Sequence, residues 1–79
     1  MASDPWQEKL AIVRAGLERF ASEGYLHWSK ANVEKLFHPV PIDDPRVVQI
    51  LDQWQRAGAI HLNRTDDDYM TVVDTNQLV

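Results

Sequence analysis

The stretch from Asp44 to Asp74 constrains this chain more than any other. Asp44 is placed to cap a helix that opens with Pro45. An aspartate side chain accepts from the free N–H groups of a first turn, and proline suits the first helical position. Val47, Ile50, Leu51 and Trp54 follow at helical spacing and define one apolar face. Gly58 predicts the exit, because glycine takes the left-handed conformation that a helix end often needs. Ala59 to Arg64 and Tyr69 to Asp74 then read as two strands around an acidic tip, Thr65-Asp66-Asp67-Asp68. A helix that runs directly into a hairpin points to a mixed α+β domain and presents a surface suited to binding.

The preceding residues supply what such a hairpin needs. A first helix is predicted from about Pro5 to Glu23, with Asp4 as N-cap and Gln7 three places on, as in a capping box. Trp6, Leu10, Val13, Leu17 and Phe20 form its buried stripe, Ile12 falls off that stripe, and Gly24 is the stop. Tyr25 to Trp28 suits a short strand, and a third strand is useful because a lone hairpin is marginal in water. Ser29 caps a second helix of about Lys30 to Phe37. Trp28 and Val33 fit a hydrophobic staple, and Val33, Leu36 and Phe37 form the inner face. Pro39 and Pro41 stiffen the connector from His38 to Asp43. Val40 and Ile42 within it either plug the core beneath the loop or form an apolar lip for a partner. In the hairpin, Ile60, Leu62, Met70 and Val72 should pack on the helices, with His61, Asn63, Thr71 and Val73 outward. The expected organisation is one domain over residues 1–74 and a flexible tail over 75–79.

Composition narrows the function classes. Seventy-nine residues make one domain with a modest core, and the absence of cysteine removes disulfides and thiolate metal sites. No apolar run approaches the roughly 18 residues of a membrane span. The first residues lack the basic and apolar regions of a signal peptide. The expectation is a soluble, cytoplasmic protein with no membrane partner. The net charge is −4, spread without any basic block. Phosphate neutralisation supplies most non-specific nucleic-acid affinity, so an acidic domain starts at a disadvantage, although a local basic patch can outweigh the global sign.

Nothing in the chain assembles a catalytic set of nucleophile, base and stabiliser: the serines are scattered and there is no glycine-rich loop. The chain is therefore expected to be no enzyme and to need no cofactor. The three aspartates lack the spaced ligands and closing glutamate of a calcium loop. They read as a solvated turn that blunts aggregation of the hairpin edge. His27, His38 and His61 contain no pair at the i, i+4 spacing of a zinc helix, so no metal site is expected. The tryptophans fall at core positions, leaving Tyr25 and Tyr69 as the candidate exposed rings.

The order helix, short strand, helix, helix, strand, tip, strand resembles the winged-helix superfamily from about Pro5 to Asp74. The run from Val47 to Ile60 and the hairpin after it carry the resemblance. The resemblance implies three helices packed on a two- or three-stranded antiparallel sheet, with the third helix as recognition helix and the hairpin tip as wing. By position the recognition face is Arg46, Gln49, Gln53 and Arg56, flanked by Asp52 and Gln55. Arginine and glutamine are chemically suited to base edges. Arg64 at the base of the wing, and Lys30 or Lys35, are placed for phosphate. Three features depart from a DNA-binding member: the acidic tip of Asp66, Asp67 and Asp68, the long proline-rich connector, and the lack of an extra dimerisation helix. The expected function is a non-catalytic binding module, a small regulatory protein acting on a protein partner. The alternative is a DNA-binding transcriptional regulator using Arg46, Gln49, Gln53 and Arg56. The expected oligomeric state is a monomer, or a weak homodimer through the first helix.

Overall fold

The computed structural model describes residues 4–78. It contains helices α1 (Pro5–Ser22), α2 (Lys30–Phe37) and α3 (Pro45–Arg56), strands β1 (His27–Trp28), β2 (Ile60–Leu62) and β3 (Met70–Val72), and a 3-10 turn at Thr75–Gln77. The architecture is α+β, three helices with a three-stranded antiparallel sheet of order β1-β3-β2. Among the described residues no helix is long and apolar enough to cross a membrane. Residues 1–3 and Val79, assigned above to the domain and the tail, lie outside the described residues.

Helix starts follow the capping residues. The side chains of Asp4, Ser29 and Asp44 accept from the backbone N–H groups of Trp6, Asn32 and Arg46. These bonds satisfy donors that a first turn leaves open. Two helix ends share one exit geometry. After α1, Gly24 N–H donates to the Ala21 carbonyl and Tyr25 N–H to that of Phe20; after α3, Gly58 donates to Gln55 and Ala59 to Trp54. Both glycines have positive φ, 90° and 82°. Both exits are therefore Schellman motifs, which require a residue at ease in the left-handed region.

The core draws on every helix and strand, though not on the 3-10 turn. Leu10, Val13 and Leu17 of α1, Val33 and Phe37 of α2, Val47, Ile50, Leu51 and Trp54 of α3, and Ala59, Ile60, Met70 and Val72 around the hairpin are buried together with Trp28. Val40 and Ile42 are half-buried and pack against this cluster, the plug rather than a free lip. The sheet register sets Ile60 opposite Val72 and Leu62 opposite Met70, with His27 opposite Thr71 on the far strand. Alternation then sends His61 and Val73 to the exposed side.

Three expectations are corrected. Phe20 was assigned to the buried stripe but is 41% exposed, its ring edge-on to Tyr25 and Trp28 at the rim. The strands are shorter than the alternation suggests. Asn63 and Arg64 both donate to the Tyr69 carbonyl, and Arg64 takes a φ of 64°, so the ladder breaks there as a bulge. The segment assigned to a flexible tail folds back as far as Leu78. Asp74 caps the 3-10 turn through Asn76 N–H, and Leu78 is 6% exposed within the core. One apolar residue behind a cap is too short a signal for periodicity to register.

Candidate binding surface

The residues singled out on α3 do share a face. At 100° per residue Arg46, Gln49, Gln53 and Arg56 fall within an arc of about 80°, and all four are exposed. Asp52 adjoins them, and the exposed Val48 lies about 80° further round the helix from Arg56. Their availability differs. Arg46 bonds bidentately to its own N-cap, Nε to Asp44 Oδ1 at 3.1 Å and Nη2 to Oδ2 at 3.3 Å. Its guanidinium also lies over the Trp6 ring, 5.0 Å from the centroid, and Trp6 stacks in turn on Phe37. Arg46 therefore ties the start of α3 to α1 through a cation–π contact. Its hydrogen bonds, from the side chain first and the backbone N–H second, hold the Asp44 carboxyl below the usual carboxylate range. The Asp44 carboxylate raises Arg46 in return. Arg56 pairs with Asp52 one turn back at 3.0 Å. Gln55 is turned toward the sheet, its Oε1 accepting from Leu62 N–H at 2.8 Å. Gln49 and Gln53 remain exposed.

The acidic tip does not stand away from the body. The Asp66 carbonyl accepts from Lys30 N–H at 3.0 Å, and Asp66 and Asp67 line a cleft with Ser29, Lys30, Ala31 and Glu34. This sets Asp66 and Asp67 beside the start of α2, whose first turn holds no acidic residue of its own. Asp68 differs from its neighbours. It accepts from Asn63 Nδ2 at 3.1 Å and lies 3.7 Å from His27 Nδ1, while Thr71 Oγ1 bridges Asn63 and His27. A solvated turn describes Asp66 and Asp67 better than Asp68. Arg64 is exposed at the base of the tip and makes no ion pair among the described residues.

His27, His38 and His61 do not converge. Among the described residues no group of three or more His, Cys, Asp or Glu could hold a metal ion. A second surface was missed by sequence. Phe20, Tyr25, His27, Trp28, Asn32, Lys35 and Leu36 line a groove of about 410 Å³ between α1, β1 and α2. Trp28 contributes a buried indole Nε1 that has no hydrogen-bond partner among the described residues. Such a donor costs about 1–3 kcal/mol when left unmade. The only forewarning in the sequence was Tyr25 as a candidate exposed ring.

Comparison with known proteins finds no matching family model, no matching curated protein and no matching solved structure.

Proposed function

We propose that this chain is a non-catalytic, winged-helix-like binding module that acts on a protein partner, with α3 and the acidic hairpin tip as its surface. The element order and the three-stranded sheet with its short first strand support the winged-helix likeness. One observation carries the choice of partner: both arginines of the α3 face are paired with carboxylates of the same helix or its cap. A DNA-reading helix needs those guanidinium groups for base edges and phosphates, and here each must first give up a local ion pair. Asp66 and Asp67 add negative charge where a wing would meet the backbone. What α3 leaves open is amide, from Gln49 and Gln53, with the exposed Val48 further round the helix. A mixed surface of that kind suits a protein, with the charges setting partner choice more than affinity.

The competing reading, a DNA-binding regulator, retains Gln49, Gln53 and Arg64, which makes no ion pair among the described residues. Fluorescence anisotropy of a labelled random-sequence DNA duplex separates the two. The protein-binding reading expects no association at low salt. Association that falls steeply as salt is added would overturn it, because that slope counts phosphates neutralised by free cations.

A further inference from the structure

The groove between α1, β1 and α2 has a composition unlike the rest of the surface. The chain holds 12 Asp and Glu against 8 Lys and Arg, yet no Asp or Glu among the described residues lines this groove. Two of its lining residues, Lys35 and Asn32, carry donor groups, and a third, Trp28, keeps its indole N–H buried with no partner among the described residues. Lys35 makes no ion pair among the described residues. Its walls are rings: Phe20 stands edge-on to Trp28 at 5.4 Å and to Tyr25 at 6.2 Å. Phe20 and Tyr25 are 41% and 64% exposed, and the adjoining Leu26 is 40% exposed. Exposed rings beside unused donors are an arrangement that binding sites share.

The groove also has a direction. His27 and Trp28 are consecutive on β1, so their side chains leave opposite faces of the sheet, yet both line it. β3 occupies one edge of β1, and no β3 residue lines the groove, so it follows the free edge. Extended segments bind along such edges, with side chains entering adjacent pockets.

We propose that this groove is a docking site for an extended peptide segment of a partner protein that carries an apolar or aromatic side chain beside a carboxylate. The apolar side chain packs among Phe20, Tyr25 and Leu36, and the carboxylate meets Lys35 and Asn32. The net charge of −4 opposes an acidic ligand at long range, but at physiological salt that field decays within about 8 Å, leaving the local cation in control. The site shares with the reading above only the class of partner. It names a different surface and stands even if α3 proves inert.

The test is panning of a random heptapeptide library displayed on phage against the folded chain at near-physiological salt. An enriched peptide is then synthesised with a fluorescein label and titrated by anisotropy. The expected peptides pair an apolar residue with Asp or Glu. Lys35→Glu should weaken binding about tenfold or more by setting like charges together. Tyr25→Ala should weaken it as well, while Gln53→Glu on α3 leaves it unchanged. Both groove positions are exposed, and far-UV circular dichroism checks that each variant folds. Failure to enrich any peptide, enrichment of basic peptides, or binding indifferent to Lys35→Glu would overturn the proposal. Loss through Gln53→Glu alone would move the site to α3, against the groove and in favour of the other surface. Sedimentation showing a dimer that Lys35→Glu dissolves would make the occupant a second copy of this chain, which also overturns it.

Discussion

The outer face of α3 and the groove beside β1 both hold cationic side chains, in opposite states. On α3, two arginines and an aspartate stand within a few turns of one another, and helical spacing lets the charges pair locally: Arg46 with the cap Asp44, Arg56 with Asp52 at i, i+4. In the groove, Phe20, Trp28 and Lys35 come from three different elements, and among the described residues the lysine makes no ion pair and the indole N–H no hydrogen bond. The comparison teaches that counting cations on a helix face overstates the charge it can offer. A single lysine without a neighbour is worth more to an incoming ligand than two arginines already engaged.

Four perturbations sharpen this contrast. The largest acts on the scaffold of the α3 face. Trp54 is fully buried there, and Trp54→Ala should cost about 3–5 kcal/mol, a large share of the roughly 5–15 kcal/mol that holds a domain together. Urea denaturation followed by circular dichroism reads the loss. A midpoint close to wild type would mean that α3 is not anchored as described.

Next come the two glycine exits, one beside each surface. A Cβ at Gly24 or Gly58 would meet nothing within 4 Å, so the penalty for alanine is that of positive φ alone. Gly24→Ala and Gly58→Ala should each lose about 1 kcal/mol or more, and the losses should match. A much larger effect at one of them, in the same denaturation experiment, would show that its exit does more than turn the chain.

The third concerns pH. Asp44 is held below the usual carboxylate range by Arg46. A depressed folded-state pKa gives stability that is fully present above the unfolded-state value and is lost as pH falls through the folded-state value. Asp44→Asn keeps a good capping side chain but removes that charge. The variant's stability should therefore change less than wild type's over the most acidic part of an acid titration. Parallel curves would show that the Asp44 and Arg46 pair contributes nothing, and would return Arg46 to the pool of free cations.

The smallest effect is expected at the other pair. Asp52→Asn breaks an exposed i, i+4 bridge and should change stability by only about 0.3–0.5 kcal/mol. Its consequence lies in availability: Arg56 is released, and anisotropy with duplex DNA should rise above the wild-type baseline at low salt. An unchanged baseline would mean that pairing with Asp52 was not what restrained Arg56.

How legible the two surfaces were follows from where their residues come from. Caps, exits and the apolar faces of α2 and α3 rest on spacings within one element, so Asp4, Ser29, Asp44, Gly24 and Gly58 announced themselves. The α3 face was legible as a set of residues, since Arg46, Gln49, Gln53 and Arg56 do align. Its pairing was half visible, because Asp52 and Arg56 stand at helical contact distance, whereas the seating of Arg46 over Trp6 depends on how α1 meets α3. The groove was hidden for the same reason. Phe20 continues the spacing of a buried stripe, and only the tertiary packing leaves it at the rim. Trp28 reads as core and is core, but its unpartnered N–H is a property of its surroundings. The bulge at Asn63 and Arg64 turns on a backbone conformation that an arginine does not advertise.

The most direct test of the contrast is one two-dimensional 15N–1H spectrum of the labelled chain, recorded before and after adding a random-sequence DNA duplex at low salt, and then an acidic, aromatic-bearing peptide from the panning. DNA should leave the amides of Gln49, Gln53 and Arg56 in place, and the peptide should shift the Trp28 indole signal together with the amides of Tyr25, His27 and Lys35. Shifts along α3 on adding DNA, with the groove silent to the peptide, would contradict that contrast.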